Sequence, residues 1–585
     1  MRGTETATRC QVSHGARQRL ALTRHGLDTI IRYAISNPGA YGPGEWSEEK
    51  QIDTTAYTIG RRVTYSNLYY LSDVGTDGAN DPTPGRLYNF YRTGASRHYL
   101  ISDDWGETWR QGGVLMFSDD EDVEGRFKNP YHQFKSNGKD EIHYIFNDAH
   151  PRVEAIHNRV YHVSLKGGDV RRSDGAPFQK LSDAPAGVPN DPIAYSEVAG
   201  TISEVFQPTI SEMDDAWVSD LEIDPDGAPY LAFSVQIDGF SDDGGILPVG
   251  QGGYDHRYYY SRWTGSAWST AQMAYAGTRL YPIEDDYTGN VALHPDRANE
   301  VYISTDVDPI TQAQLIGADG KRHYEIFRGR TADLGATWRW SPVTFNSEVD
   351  NLRPVVPDWD AANTALLWVR GTYTTFVDFD TSLQALINPV IPTPVRVLAV
   401  DFGAAGQAVQ AGYEPFTRPA VPEQPGPQSE SFDSCAVANA GGITVTVGGG
   451  DVGFRDRALS AVVPLRDLVD DFVFLEDGMT LTFGNLPADD YQLVLYSHDT
   501  EHAQRQFNIT RDGIVIGMMT PATGAKPLGV NGGDRADSPV GVSASRVTFI
   551  ADGQHDVKLT FSATGVGGAH MVLNGFELNV LHSDP

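Results

Sequence analysis

Two turns written in nearly the same letters constrain this chain most: SDDWGETW at Ser102–Trp109 and TADLGATW at Thr331–Trp338. Both fit S/T-x-D-x-G-x-T-W, the Asp-box hairpin turn, in which Asp and Ser/Thr bond turn amides, Gly takes a special dihedral and Trp packs between strands. SRWTGSAW at Ser261–Trp268 is a related hairpin. Such turns are structural devices, and no catalytic role is assigned to them. From Trp46 to Ala411 strand-like runs follow one another, separated by DPTPG, SNGKD, DPDGAP and HPDRAN. Repeated hairpins over that length predict radially arranged four-stranded sheets, a β-propeller. About 365 residues at roughly 45–55 per blade gives seven blades, with six as the alternative.

A chain of 585 residues is too long for one core. With 60 Gly, 34 Pro, 27 Tyr and 24 Phe against 8 Met, it suits short strands and tight turns rather than helix bundles. Residues 1–45 read as an N-terminal extension and 46–415 as the propeller. The Pro-rich stretch 416–434 reads as a semi-rigid linker. In 435–585, runs such as ITVTVGG, MTLTFGNL and HDVKLTFSA alternate apolar and polar residues as β-sandwich strands do. This second domain is expected to be a carbohydrate-binding or spacer module. The two cysteines, Cys10 and Cys435, exclude a disulfide framework.

The formal charge of −32 argues against a nucleic-acid partner. It leaves room for an anionic polysaccharide, provided one cleft is locally basic. No run of 18 apolar residues appears, so no membrane span is expected. The basic N-terminus lacks an apolar segment followed by a cleavage site and is not read as a signal peptide.

Three histidines fall within Asn129–Pro151, NPYHQFKSNGKDEIHYIFNDAHP. His132 and His150 lie at matching ends of neighbouring strands if SNGKD is the turn between them. His143 sits mid-strand among apolar residues and reads as a packing histidine, as do His157 and His162. A zinc site on His132, His143, His150 and Asp148 has enough ligands, but strand alternation should send some of them to opposite faces. Carboxylate pairs for a hydrolase, such as Glu284 with Asp214, carry no specificity in so acidic a chain. A sialidase-like clamp would draw on Arg257, Arg353 and Arg152.

The block Asn129–Gly175 resembles the core of the BNR-repeat β-propeller proteins that include ulvan lyases. YDHRYYYSRWTGSAW, EDDYTGNVALHP and DNLRPVVPDWDAANTALLWVRGTYTTF continue the resemblance in the same order. It implies a polysaccharide lyase that cleaves the 4-linked bond to a uronic acid by β-elimination, in ulvan or a related rhamnose–glucuronate polysaccharide. It carries the family's histidine pair onto His132 and His150 and its carboxylate-neutralising arginine onto Arg257. Tyr287 is expected in the cleft. The second tyrosine is Tyr230 or Tyr254, with the register nearer Phe233. Arg353 fits a second substrate-carboxylate contact or, equally, a structural salt bridge, and His256 an assisting role.

The chemistry asks for these residue types. The C5 proton is hardly acidic until the uronate charge is neutralised, and an arginine fork suits a carboxylate better than a lysine. His132 or a tyrosine then takes the C5 proton, a tyrosine protonates O4, and Arg257 with His150 holds the carboxylate. No cofactor is required, and a structural or charge-neutralising calcium or zinc is compatible with this scheme. A propeller glycoside hydrolase of sialidase or rhamnosidase type is the runner-up, and a non-catalytic sugar-binding propeller the third reading. The substrate implies a secreted or periplasmic location, and a monomer is expected.

Overall fold

The computed structural model describes the chain apart from residues 1–7, 13–18, 26–27, 38–43, 59–61, 75–84, 95, 118–129, 151–157, 182–192, 194–196, 209–214, 240–250, 282–283, 359–362, 376, 420–423, 434–441, 458–463, 477, 524–541 and 583–585. Six antiparallel sheets follow one another along residues 8–387. Sheet 1 comprises Thr8–Val12, Arg19–His25, Ile30–Ile35 and Lys50–Asp53; sheet 2 comprises Val63–Leu71, Arg86–Thr93, Ser96–Ser102 and Arg110–Phe117. Sheet 3 runs His132–Ser136, Glu141–Asn147, Val160–Lys166, Asp169–Arg171 and Pro177–Lys180, with Glu204–Phe206 beside its third strand. Sheet 4 holds Ala216–Ile223, Pro229–Gln236, His256–Trp263 and Trp268–Gly277. Sheet 5 holds Val291–His294, Arg297–Thr305, Glu325–Arg330 and Arg339–Pro342, and sheet 6 Asp350–Val355, Ala365–Thr375 and Asp378–Ile387. The expectation was seven blades with six as the alternative; six sheets are described.

Each sheet packs face to face on the next. Phe90 and Tyr99 of sheet 2 meet Phe134 and Tyr144 of sheet 3, and Ile145 and Val160 of sheet 3 meet Val218 and Phe233 of sheet 4. Tyr258 of sheet 4 meets Val291 and Ile303 of sheet 5, and Tyr302 meets Leu366 and Trp368 of sheet 6. A strand packed on both faces leaves no side chain to solvent. That is why Pro229–Gln236 is buried along its whole length. From sheet 2 onward the first strand of each sheet touches the first strand of the next, so these are the inner strands of the successive sheets.

The three motif turns occupy one structural position, between the third and fourth strands of sheets 2, 4 and 5. Asp104 Oδ1 accepts from Thr108 N at 2.9 Å and Asp333 Oδ1 from Thr337 N at 2.8 Å. Gly106 N donates to Ser102 Oγ, and Gly335 N to Thr331 Oγ1. The glycines sit at φ +86° and +96°, where a side chain would be strained.

The second domain is a sandwich of a seven-stranded and a six-stranded sheet, with a smaller three-stranded sheet beside them. Here one face meets the core, and Gly478–Gly484 alternates half-buried and buried along its length. The expected linker is corrected. Thr393–Ala404 and Glu414–Arg418 are strands of the larger sheet, Gln428–Phe432 is an edge strand of the other, and Phe402, Phe416 and Phe432 lie in the sandwich core. Prolines at 419, 425 and 427 mimic a linker in composition, yet they sit at or beside strand ends, where a missing N–H costs little.

The two domains interlock. Gln314–Ile316, which leaves sheet 5, pairs in parallel with Ser543–Ala551 of the sandwich, and Ile316 enters the sandwich core. Beside it Arg546 forms a buried ion pair with Asp308. No helix among the described residues is long and apolar enough to cross a membrane.

Candidate active site

At the end of the inner strands where Tyr131 precedes sheet 3 and Ala216 begins sheet 4, side chains from sheets 2, 4 and 6 and from loops beside sheets 3 and 5 meet in one arc. The Arg92 guanidinium of sheet 2 stacks 4.4 Å over the Tyr65 ring and lies 5.7 Å from the Tyr131 ring. Tyr65 meets Tyr131 edge-on at 5.8 Å, and Tyr131 in turn meets His150 and Trp217, each at 5.1 Å. His150 and Trp217 are 5.3 Å apart. Trp217 meets Tyr287 at 5.0 Å, and Arg353 of sheet 6 stacks 5.1 Å over Tyr287 and 5.2 Å over Tyr373. The arc is thus a run of aromatic rings with a guanidinium at each end.

Two arc residues sit in equivalent backbone irregularities. In sheet 2 the stretch Thr64 to Asn67 faces Arg92 to Phe90, and in sheet 6 Leu352 to Val355 faces Val369 to Leu367, one extra residue on the inner strand each time. Tyr65 at φ +54° and Arg353 at φ +53° occupy those bulges in the left-handed region. Bulky residues adopt it at a cost of order 1–3 kcal/mol, and bulges re-aim side chains at sheet rims.

Buried asparagines fix the arc from behind. Asn147 accepts from Tyr131 N at 2.6 Å and donates to Ala216 O at 3.2 Å, tying the entry of sheet 3 to the residue before Trp217. Asn158 bonds both Ala149 N and Ala149 O, at 3.1 and 3.0 Å, and so sets the backbone before His150.

The electrostatics run against the overall acidity. Among the described residues neither Arg92 nor Arg353 is within ion-pair distance of a carboxylate; Arg92 Nε donates to Thr64 Oγ1 at 2.9 Å, and Arg353 donates to the Tyr373 hydroxyl at 3.1 Å. Burial opposes the Arg353 charge, but the Tyr287 and Tyr373 hydroxyls outweigh it and raise its pKa. Burial raises the Tyr373 phenol.

His132 sits just behind the arc, 6.4 Å from Tyr65. Arg97 Nε donates to its Nδ1 at 2.6 Å. An arginine N–H only donates, so Nδ1 carries the lone pair and a neutral ring must carry its proton on Nε2. Burial, then the charges of Arg97 and Arg92, hold the imidazole well below its usual pKa. In that tautomer His132 offers an N–H at Nε2 and no free lone pair, which counts against it, rather than a tyrosine, as the expected base.

The other expected residues divide. His150, Tyr287 and Arg353 are in the arc. Arg257 lies at the same edge of sheet 4 as Trp217 but on its third strand, where Asp255 takes two of its donors at 3.2 and 3.0 Å and Gln272 a third. His256 is buried, held by Gly277 O at 3.3 Å, and burial pushes it down to about 4. Tyr254 is buried, its hydroxyl accepting from Arg279 at 2.9 Å. The cleft expectation for Tyr230 is corrected: its hydroxyl is buried at the opposite edge of sheet 4, donating to His294 O at 2.5 Å. Phe233, the register alternative, stacks on Tyr259 in the core.

The weighed zinc set does not converge. His143 faces His162 at 2.9 Å, His132 is held by Arg97, and Asp148 accepts from the Tyr161 hydroxyl at 2.8 Å. Among the described residues no three of His, Cys, Asp and Glu are grouped to hold a metal. Asp214, Arg152, His157 and Cys435 lie outside the described residues. Sequence reasoning missed Tyr65, Arg92, Tyr131, Trp217 and Tyr373. Only Tyr131, next to His132 in NPYHQF, carried a usable signal.

Residues 19–276, from the second strand of sheet 1 to the last strand of sheet 4, match a family described as BNR repeat-containing family member. The resemblance to BNR-repeat proteins is thus shown for that stretch. No curated protein matches the chain. Among solved structures, one described as a PL25 ulvan lyase, from a new polysaccharide lyase family and bound to a GlcA(1-4)Rha3S segment, is 12% identical over 66% of this chain and 78% of that one, with a TM-score of 0.42. The α-L-arabinofuranosidase Arb93A from Fusarium graminearum, with an iminosugar inhibitor, is 12% identical over 66% and 94%, TM-score 0.35. An α-L-arabinanase from Penicillium chrysogenum with arabinobiose is 13% identical over 65% and 93%, TM-score 0.35.

Proposed function

We propose that this chain, whose residues 19–276 carry the BNR-repeat pattern, is a polysaccharide lyase acting on a uronate-containing polymer such as ulvan or a rhamnose–glucuronate relative. One observation carries the reading: an aromatic arc ends in two arginines that lack carboxylate partners among the described residues, in a chain of net charge −32. Rings offer faces to sugar C–H groups, and unpaired guanidiniums offer forks to carboxylates or sulfates.

In this scheme Arg353 takes the uronate carboxylate of the sugar to be opened, and the His132 Nε2–H is a further donor to the developing enolate. His150 accepts the C5 proton. The electrons of that C–H bond form the C4=C5 double bond as the C4–O4 bond breaks, and Tyr287 gives its proton to the departing O4. Arg353 is preferred to Arg257 because two donors of Arg257 are already taken by Asp255. A hydrolase would need two facing carboxylates. Among the described residues Glu284 borders the arc beside Tyr281, and no facing pair of carboxylates carries the reading.

The test is incubation with ulvan and with a rhamnose–glucuronate gum, following the ultraviolet absorbance of a 4,5-unsaturated uronate end. A rise that disappears in Arg353→Ala and His150→Ala supports the reading. New reducing ends without that absorbance would replace it with a hydrolase, and neither signal would leave a sugar-binding propeller.

A further inference from the structure

The sandwich carries a cleft of about 350 Å³ that the arc does not use, bordered by Arg455, Arg457, Phe474, Gln504 and His570. Phe474 borders it with only 4% of its surface exposed. A Cβ at Gly453 would strike the Phe474 ring at 2.3 Å, so glycine at that position lets the ring lie across the neighbouring strand. The wall is a close approach of two loops: a Cβ at Gly568 would strike Ala503 O at 2.1 Å.

Two polar groups converge on that ring. The Arg455 guanidinium lies 5.2 Å over it, and His570 meets it edge-on at 5.0 Å. Arg457, two residues on, is neutralised by Asp499 at 3.1 Å and Glu501 at 2.8 Å. No carboxylate lies within ion-pair distance of Arg455 among the described residues. Among the described residues the Arg455 guanidinium has neither an ion pair nor a hydrogen bond, and its Nε and His570 Nδ1 are buried without a partner. An arginine N–H can be completed only by an acceptor. The volume is at the lower end of small-molecule sites.

We infer that this cleft is a second saccharide site, in which a carboxylate-bearing sugar unit sets its carboxylate on the Arg455 guanidinium beside His570. The site is independent of the lyase reading, since it contains no residue of the arc. It would hold an acidic polymer on the sandwich while the propeller face works on another segment of it, raising the local concentration of substrate.

The test is calorimetric titration of the full chain with sodium glucuronate, glucose and sodium sulfate, in an Arg92→Ala/Arg353→Ala background so that neither guanidinium of the arc contributes. Glucuronate is expected to bind and glucose not to. Arg455→Ala should weaken binding by about tenfold or more, the loss of one charge-assisted pairing. Arg455→Lys, which keeps the charge and loses the fork, should fall between. Unchanged circular dichroism and melting temperature establish that both variants fold; should Arg455→Ala fail to, His570→Gln takes its place with the same expected direction. Absence of glucuronate binding, binding indifferent to Arg455 and His570, equal binding of glucose, or sulfate binding as tightly as glucuronate would each overturn the proposal.

Discussion

Arg97 Nε donates to His132 Nδ1 at 2.6 Å, and that bond fixes which nitrogen of the histidine faces the rest of the protein. Arg97 is fully buried, and burial lowers its pKa to about 9. The pair is a donor relay, not a base. Long-range proton–nitrogen correlation spectra should find His132 in the Nε2–H tautomer throughout the neutral range. Arg97→Met should release the tautomer and cost about 1–3 kcal/mol, because it leaves His132 Nδ1 and Pro130 O without their donor. A mixture of tautomers in the unmodified protein would contradict the relay.

Arg353 separates function from stability. It has no ion pair among the described residues, and its backbone is held at φ +53°. Arg353→Gly should therefore leave the melting temperature within a few degrees of the parent, as strain relief offsets lost ring contacts. Its kcat/KM should fall by about 10²–10³-fold, the scale of losing one charge-stabilising donor. Arg257→Ala should cost less activity. Steady-state kinetics on one polymer, with calorimetric melting, checks both halves.

Acid should destabilise the fold through its buried histidines. His98 is pushed down to about 4 by burial and by the Arg97 charge, against a reference value of 6.5. A base with a depressed folded pKa is neutral in the folded state while the unfolded chain takes up a proton. Its contribution is thus complete above about pH 6.5 and is lost as pH falls toward 4. Glu222, raised by burial to about 8, acts in the opposite sense: its contribution is lost as pH rises from its unfolded value toward 8. His98→Gln should reduce the slope of stability against pH between 4 and 6.5 by up to about 1.4 kcal/mol per pH unit, one proton's worth. Denaturant titrations across that window measure the slope, and an unchanged one would count against a neutral His98.

Asn147 should behave as a positioning residue. Asn147→Ala removes the bonds that tie Tyr131 N to Ala216 O. The expected result is about 1–3 kcal/mol of stability lost together with a fall in kcat/KM on polymer, because Tyr131 and Trp217 lose their common brace. Loss of stability with unchanged kinetics would assign the residue to packing alone.

The propeller and sandwich should unfold together. Arg546 pairs with Asp308 across the interface, beside the parallel pairing of Gln314–Ile316 with Ser543–Ala551. Arg546→Ala strands a buried carboxylate, a change worth about 3–5 kcal/mol. Scanning calorimetry should show one transition in the parent and two in the variant.

The strands and motif turns were legible because their signals are local. S/T-x-D-x-G-x-T-W writes its own hydrogen bonds within eight residues, and the alternation in MTLTFGNL survives as the half-buried and buried pattern of Gly478–Gly484. The linker was misread because composition is also local. PEQPGPQSESF looks unstructured until the sandwich supplies partners for its edge strand. Of the candidate site, His150, Tyr287 and Arg353 were legible through resemblance. Arg92 and Trp217 had no motif to announce them.

By itself, then, the sequence determined an all-β chain, its propeller turns, a second sandwich domain and a stretch rich in histidine, all properties of residues near one another along the chain. The tertiary structure decided that Tyr65, Arg92, Tyr131, Trp217, Tyr287 and Arg353 share one arc, that His132 donates and that Tyr230 is buried at the far edge of its sheet. Those outcomes depend on inter-sheet packing and on one-residue bulges in the inner strands. A single-residue shift in strand register sends a side chain to the opposite face, and no short stretch of sequence encodes it.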